Sequence, residues 1–243
     1  MDDPSITRRL ELSFCHCEAK SPAQPNEDSF AYDEDRQLFV ISDGASISFD
    51  SALWSKLVVE NFIAQPSIDA DWFAHARQQF ASAHSFDDLP WNKQAAYERG
   101  SFATLLGLAY DPETGKALIT GVGDSIVVMI DNVDGWVTSF PYEDASQFRQ
   151  DPVLLSTNPG AAGLPETALQ PFSLFELPGT ITLLLMTDAL GAWCLEHGHE
   201  GAVQLAELTD VEDFREFLQL EQRDRRMRVD DATLMVLKLS AAP

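Results

Sequence analysis

The chain has 243 residues, of which 45% are hydrophobic and 23% are charged, ordinary values for a globular protein with a substantial core. Its 39 acidic and 16 basic residues give a formal net charge of -23. This balance argues against nucleic acid and anionic membrane surfaces as partners, because binding to either depends on clustered Lys and Arg.

The N-terminal stretch Met-Asp-Asp-Pro is acidic and lacks the basic start and apolar run that are typical of a signal peptide. No apolar run approaches the roughly 20 residues that are needed to cross a bilayer. No linker or internal repeat divides the sequence. We therefore expect a cytoplasmic protein with a single domain over residues 1–243.

In chain order, the first half of the sequence predicts strands, then helices, then strands again. Period-two and apolar runs predict strands at 7–17, 29–32 and 37–42. Apolar residues near helical spacing predict helices at 51–65, 69–83 and 91–97. Strands follow at 101–110, 116–121 and 125–130, with turns at 111–115 and 123–124.

The second half begins with residues 132–178, which are rich in Pro, Gly and polar side chains. We interpret this segment as a mostly irregular, flap-like surface region. A strand is predicted at 180–187, helices at 201–208 and 211–220, and a last strand at 231–239. Because helices come in blocks between hairpin-connected strands, the order favours an α+β fold with antiparallel sheets.

Carboxylates recur at the ends of the apolar strands. Asp43 and Asp188 each follow such a run, Asp230 opens the last strand, and Glu27 and Asp28 precede another. Taken singly, each aspartate is explained as a turn former. If the strands neighbour one another, the carboxylates converge and repel, and a hard divalent cation such as Mg²⁺ or Mn²⁺ would resolve that repulsion.

The three cysteines, Cys15, Cys17 and Cys194, are too few for a disulfide framework. A zinc site at Cys15 and Cys17 lacks a second Cys/His pair of suitable spacing. We assign the cysteines no catalytic role.

Six short motifs occur in a characteristic order along the chain. They are Asn-Glu-Asp at 26–28, Ser-Asp-Gly at 42–44, Gly-Ser-Phe-Ala-Thr at 100–104, Gly-Val-Gly-Asp-Ser at 121–125, Thr-Asp-Ala-Leu at 187–190 and Asp-Asp-Ala-Thr at 230–233. Each is weak alone, but together the six resemble the successive signatures of the protein phosphatase 2C family, the metal-dependent PPM phosphatases, in their compact bacterial form.

The resemblance implies a four-layer αββα sandwich, in which helices flank two antiparallel sheets, and a centre of two Mn²⁺ or Mg²⁺ ions at one edge. By motif match, Asp43 would bridge the ions and the Gly44 carbonyl would bind one of them. Asp188 and Asp230 would complete the other, and Glu27 and Asp28 would act directly or through water.

The activity implied by the resemblance is hydrolysis of phosphoserine and phosphothreonine in proteins, in signalling that opposes a serine/threonine kinase. Water activated by the two ions would attack phosphorus in line, without a covalent phosphoenzyme.

The sequence departs from the family pattern at several positions. Ala23 stands where many members carry a phosphate-gripping arginine, and Lys20 is the nearest basic substitute, unless it is only a solvated loop lysine. Ala45 replaces a histidine proposed as general acid. Ala192 replaces an aspartate that serves a third metal, which leaves Asp124 as the remaining ligand there, and Ile126 stands where arginine is frequent.

Two other functions stay open on the sequence. One is a catalytically weak or inactive protein of the same fold that binds phosphoproteins as a regulatory module; the replacements at Ala23 and Ala192 favour it. The other is a metal-dependent hydrolase of small phosphoesters. Oligomeric state, substrate protein, partner kinase and the choice between Mg²⁺ and Mn²⁺ are not specified by the sequence.

Overall fold

A computed structural model describes residues 8–135, 137–160, 168–174 and 180–239. Its strands are β1 Leu10–Glu18, β2 Asp28–Asp33, β3 Leu38–Asp43, β4 Phe102–Ala103, β5 Leu105–Asp111, β6 Lys116–Val122, β7 Ile126–Asp131, β8 Val137–Phe140, β9 Leu155–Ser156, β10 Leu169–Ser173, β11 Ile181–Met186 and β12 Ala232–Leu239. Its α-helices are α1 Ser51–Ala64, α2 Ala70–Ser82, α3 Trp91–Arg99, α4 Asp188–Ala206 and α5 Val211–Arg223. Short 3-10 helices lie at Phe86–Asp88 and Ala145–Arg149.

The strands form two large antiparallel sheets. Sheet A has the order β1-β12-β11-β7-β8, sheet B has the order β10-β6-β5-β3-β2, and β4 pairs with β9 in a small ribbon. In sheet A, Met186 at the end of β11 lies opposite Leu234 near the start of β12. In sheet B, Asp28 at the start of β2 lies opposite Asp43 at the end of β3. In each sheet, these pairings place predicted acidic residues at the strand ends or just beyond them.

Strand alternation divides the apolar side chains among three packed layers. On β3, Phe39 and Ile41 face the other sheet, where they join side chains such as Leu183 and Leu237. Val40, between them, packs with Trp54 and other residues of α1 and α2 on the outer face of sheet B. The outer face of sheet A is covered by α4 and α5. The resulting order of helices, sheet B, sheet A and helices confirms the predicted αββα sandwich.

The main correction concerns α4. The sequence predicts a helix only at 201–208, whereas α4 begins at Asp188 and is interrupted at Gly198, whose φ of 59° and ψ of -139° are not helical. Glycines at 191, 198 and 201 lower the intrinsic helix propensity of this stretch. Gly191 is required by packing, since a Cβ there would lie 2.9 Å from Cγ1 of Ile126.

Two further predictions are refined. The strand predicted at 101–110 is divided at Thr104, whose backbone N–H donates to the Asp43 carbonyl. The segment 132–178 contributes β8 to sheet A and β10 to sheet B, and the remainder of its described part is largely without regular structure. Residues 136, 161–167 and 175–178 of that segment lie outside the described residues.

Among the described helices, none combines the length and the apolar character that a membrane crossing requires.

Candidate metal centre

The acidic positions singled out in the sequence lie at one rim of the sandwich. Asp28 opens β2 and Asp43 closes β3, so that sheet B supplies two of them. Asp188 follows β11 after a single residue, and Asp230 lies two residues before β12, so that sheet A supplies two more. Antiparallel pairing of β11 with β12 puts the end of one beside the start of the other. The fold therefore collects residues from opposite ends of the sequence.

Asp28 is fixed by hydrogen bonds that cross from sheet B to sheet A. Its Oδ2 accepts the hydroxyls of Thr187 at 2.9 Å and Thr233 at 2.8 Å. The Thr187 hydroxyl in turn accepts the backbone N–H of Thr233 at 2.9 Å. The two threonines thus orient the carboxylate and leave its second oxygen, Oδ1, buried without a hydrogen-bond partner among the described residues.

The carboxylates at this rim influence one another electrostatically. Burial raises the pKa of Asp43 well above its usual value, and the charges of Asp28 and Asp188 raise it further. Burial also raises the pKa of Asp28 to about 8, although hydrogen bonds from the two threonines oppose that shift. Asp124 has its pKa raised to about 6 by burial and by Asp188. Several buried acids within electrostatic range make deprotonation unfavourable unless a cation is supplied.

The chemistry of this donor set fits a hard divalent cation. Asp188 Oδ1, like Asp28 Oδ1, is buried and lacks a hydrogen-bond partner among the described residues. Oxygen-only ligands are those that Mg²⁺ and Mn²⁺ prefer. Within the described ranges, however, no three His, Cys, Asp or Glu side chains already converge as a formed metal site. Cationic side chains of the protein itself lie among the carboxylates instead.

Lys20 is the first of these cations, and it is not a solvated loop lysine. Its Nζ donates to Glu27 Oε2 at 2.7 Å and to Ser46 Oγ at 2.8 Å, and it lies 3.4 Å from Asp230 Oδ1. Its backbone N–H donates to Asp231 Oδ1 at 2.7 Å. Burial disfavours its charge, but the bond to Glu27 and the neighbouring carboxylates raise the pKa of Lys20 overall.

Both carboxylate oxygens of Glu27 accept hydrogen bonds from neighbouring side chains. Its Oε1 accepts the Ser51 hydroxyl at 2.6 Å, while Oε2 accepts both Lys20 and the Ser46 hydroxyl. Burial raises the pKa of Glu27, but hydrogen bonds from Lys20 and the serines lower it overall. Glu27 thus differs from Asp28, because both of its carboxylate oxygens are already satisfied.

Arg228 is the second cation, and it was not among the residues predicted from the sequence. Its Nη2 contacts Asp188 Oδ2 and lies 3.3 Å from Asp230 Oδ2. The positive charge of the guanidinium partly offsets the rise in the pKa of Asp124 that burial and Asp188 cause. Its position two residues before Asp230 was a usable signal, because a side chain so near a predicted ligand in sequence can reach the same site.

Gly44 is held where only a glycine fits. Its N–H donates to the Glu27 carbonyl at 3.1 Å, and an added Cβ would lie 2.6 Å from the Ser51 carbonyl oxygen and 2.8 Å from that of Glu27. This close approach joins the Asp43 end of β3 to the start of α1. It keeps the backbone carrying Asp43 in a fixed position relative to Glu27.

Comparisons of the whole chain with known proteins give a consistent result for the fold. The serine/threonine phosphatase PstP/Ppp of Mycobacterium tuberculosis matches with a TM-score of 0.62 and 16% identity, over 96% of this chain and 100% of that one. The PPM fold is shared. The catalytic domain of PstP in complex with two manganese ions matches with a TM-score of 0.61 and 16% identity, over 96% and 99% of the respective chains.

The PPM phosphatase MsPP of Mycobacterium smegmatis, solved with cacodylate, matches with a TM-score of 0.58 and 22% identity, over 96% of this chain and 99% of that one. No protein-family model matches the sequence, and no curated protein matches it significantly. The resemblance to PPM phosphatases that the six motifs suggested is thus confirmed as a similarity of fold.

The alanines that depart from the PPM pattern occupy different surroundings. Ala23 is exposed in the loop that leads to Glu27, and Ala192 is half-buried on α4. Ala45 is half-buried and its N–H donates to the Phe102 carbonyl at 2.9 Å, which ties the loop after Gly44 to β4. Asp124 follows Gly123, whose φ of 95° turns the chain toward the rim, and its side chain is buried near Asp188.

Cys15 and Cys17 lie on β1, with His16 pointing to the opposite face of the strand. Cys17 Sγ lies 3.0 Å from Thr233 Oγ1, whose proton is donated to Asp28, and it accepts from Asn26 Nδ2 at 3.2 Å. Burial and the charge of Asp28 raise the pKa of Cys17 to about 12, which disfavours the thiolate that zinc requires. His16 Nε2 instead contacts Glu18 at 2.9 Å.

Proposed function

We propose that the protein is a metal-dependent protein serine/threonine phosphatase that hydrolyses phosphoserine and phosphothreonine at a binuclear centre. The observation that carries this proposal is that Asp28 and Asp188, from the two sheets of a PPM fold, each have a buried, unpaired carboxylate oxygen and lie within electrostatic range of each other. Solved phosphatases with that fold match nearly the whole chain.

In this proposal Asp43, Asp188 and Asp230 hold two Mn²⁺ or Mg²⁺ ions, with the Gly44 carbonyl and Asp28 as further ligands. Glu27 contributes through water, because both its carboxylate oxygens are engaged. Asp124 is the candidate ligand of a third ion. When bound, such ions lower the pKa of a coordinated water and offset the charge of phosphoryl oxygens.

The residues of the chain itself have two tasks. Thr187 and Thr233 hold the Asp28 carboxylate in one orientation through Oδ2, which leaves its Oδ1 free of hydrogen bonds from the described residues. Lys20 supplies a fixed positive charge beside Glu27 and Asp230, and this charge favours approach of a phosphate to an otherwise acidic surface. The substrate would be a phosphoprotein in cytoplasmic signalling, modified by a serine/threonine kinase.

The test is hydrolysis of p-nitrophenyl phosphate and of phosphoserine and phosphothreonine peptides, with Mn²⁺ and with EDTA. We expect activity only with metal, and a fall in kcat/KM of about 100-fold or more in Asp43→Asn and Asp188→Asn, since metal-held electrostatic stabilisation is lost. Asp87→Asn, an exposed position with the same change of charge, is the matched control and should retain activity.

The other outcomes are distinct. Metal binding without any hydrolysis would identify an inactive phosphoprotein-binding member of the fold. Rapid turnover of the small ester with negligible turnover of both peptides would identify a hydrolase of small phosphoesters. Activity in EDTA that equals activity in Mn²⁺ would refute the proposal.

A further inference from the structure

Arg228 lies on the side of the rim where the proposed ligands Asp188 and Asp230 meet. Its Nη2 contacts Asp188 Oδ2 and lies 3.3 Å from Asp230 Oδ2, so one nitrogen is shared between two carboxylates. The other oxygen of Asp188, Oδ1, is buried without a hydrogen-bond partner among the described residues. The guanidinium therefore offsets the charge of these two carboxylates from one side only.

A divalent cation bound by Asp188 and Asp230 would compete with Arg228 for their carboxylate oxygens. Two cations on the same carboxylate oxygens repel each other strongly, and the repulsion is larger for a doubly charged ion. We propose that Arg228 is an internal counter-cation that closes the metal-free rim and is displaced when a metal ion binds to Asp188 and Asp230. This inference rests on the proposed function, because it requires those residues to be metal ligands.

Arg228 is better suited to displacement than Lys20. Its side chain is 54% exposed and comes from the connection between α5 and β12, so it has solvent to enter when it leaves. Lys20 is 17% exposed, donates to both Glu27 and Ser46, and is anchored by a backbone hydrogen bond to Asp231. We therefore assign Lys20 to the permanent structure of the rim and Arg228 to the metal-free state.

Thermodynamic linkage between the Arg228 ion pair and metal binding predicts how the arginine affects the metal affinity. An ion pair that exists only in the metal-free protein stabilises that state and lowers the apparent metal affinity by the corresponding factor. Removal of the arginine should therefore strengthen metal binding. A merely structural arginine would give the opposite result, since its loss would disorganise Asp188 and Asp230 and weaken binding.

The experiment is titration of metal-free protein with Mn²⁺ by isothermal calorimetry, which needs no catalytic activity. We expect Arg228→Gln to bind Mn²⁺ about five-fold more tightly than the wild type, the scale of one partly exposed ion pair. Arg223→Gln is the matched control: it makes the same charge change close by in the chain, at an exposed residue paired with Asp224. It should change the dissociation constant by less than about two-fold, because exposed charges at a distance are screened.

The two proposals fail in different ways. Wild-type Mn²⁺ binding with an unchanged or weaker affinity in Arg228→Gln overturns the counter-cation and leaves the phosphatase proposal standing. Equal tightening in both variants also overturns it, since the cause would then be net charge alone. Absence of Mn²⁺ binding in every variant refutes the metal centre itself.

A second measurement guards against misfolding of the variant. Melting temperatures in EDTA and in saturating Mn²⁺ should show a larger metal-induced increase for Arg228→Gln than for the wild type. Arg228→Lys, which keeps the charge but loses the planar fork, should give an affinity between those of wild type and Arg228→Gln. An affinity of Arg228→Lys below that of the wild type would count against displacement.

Discussion

Two groups of buried carboxylates in this protein have opposite surroundings. On α5, Glu221 is buried and fully paired: its oxygens accept Nε and Nη2 of Arg226, each at 2.7 Å, and Nε1 of Trp193 on α4 at 2.9 Å. Hydrogen bonds from Arg226 lower the pKa of Glu221. At the rim, Asp28 and Asp188 each retain an unpaired buried oxygen, and the pKa of Asp28 is raised.

The difference separates an acid whose oxygens are all paired within the fold from acids that keep unpaired oxygens, which we propose as metal ligands. A buried polar group without a partner is costly, so most such groups in folded proteins are satisfied. Glu221 follows that rule within its own helix pair. The acids at the rim do not follow that rule, because the cationic side chains Lys20 and Arg228 reach only some of their oxygens. The unpaired oxygens of Asp28 and Asp188 have no hydrogen-bond partner among the described residues, and in our proposal a metal ion supplies it.

The largest effect that tests this contrast is on stability in EDTA. Glu221→Gln should lower the free energy of unfolding by about 2 kcal/mol, because it weakens charge-assisted bonds to Arg226 in a buried position. Asp43→Asn should leave it unchanged or raise it by about 1 kcal/mol, since a neutral amide removes repulsion from Asp28 and Asp188. Urea unfolding at neutral pH measures both.

Asp87→Asn again serves as the control for loss of one negative charge at an exposed site. Equal destabilisation by Asp43→Asn and Glu221→Gln would mean that Asp43 is also a structural acid, and the contrast between the two groups would be lost. In saturating Mn²⁺ the order should change, because Asp43→Asn then loses the stabilisation that comes from metal binding.

The stability of the metal-free protein is also expected to fall when the pH is taken from 5 to 8. The pKa of Asp28 is raised from 3.8 to about 8 and that of Asp124 from 3.8 to about 6. Between these values the folded protein holds protons that the unfolded chain has released. Their contribution to stability is complete below pH 3.8 and is lost as the pH rises through the folded-state pKa values.

The titration of Glu221 changes the stability in the opposite direction, but at pH values below the range from pH 5 to pH 8. Its pKa is lowered from 4.5, so its contribution is already present above pH 4.5 and is lost only as the pH falls further. Thermal unfolding in EDTA between pH 5 and pH 8 therefore leaves the titration of Glu221 out of the measured change, and comparison with Asp28→Asn identifies the contribution of the rim. Stability should fall as the pH rises, and Asp28→Asn should flatten the slope. A slope of the opposite sign in the wild type would contradict the assignment.

The sequence was sufficient to predict the ends of the central strands and the acids attached to them. Apolar runs that stop at Asp43 and just before Asp188 carry both signals in contiguous residues, so these strand ends could be inferred, whereas the αββα class was implied only by the resemblance of the six motifs to a known family. The first half of α4 was missed because its glycines weaken the local helix signal, while the close packing of Gly191 on Ile126 that favours the helix is a tertiary contact.

The hydrogen-bond and ion-pair partners of the acids could not be predicted either, because these too are tertiary contacts. The bonds from Thr187 and Thr233 to Asp28 join residues 159 and 205 positions apart, and no local pattern encodes them. Lys20 was noticed as the basic residue near Ala23, but its engagement with Glu27 and Ser46 is visible only in the fold. Sequence patterns thus identified the acids and Lys20 but not Arg228, and the structure alone distinguished paired from unpaired oxygens.

That distinction bears on Ala23, where a change should have the smallest effect. Lys20 is committed to carboxylates, so it offers a phosphate less than a free cation would, and Ala23 is exposed in the same loop. We expect Ala23→Arg to lower KM for a phosphopeptide about three-fold with little change in kcat, because a guanidinium adds bidentate binding without touching the metal ligands. Ala74→Arg, at an exposed position on α2, is the matched control. An unchanged KM in Ala23→Arg would mean that phosphate binding already has its cation, and an equal fall in the control would trace the effect to overall charge.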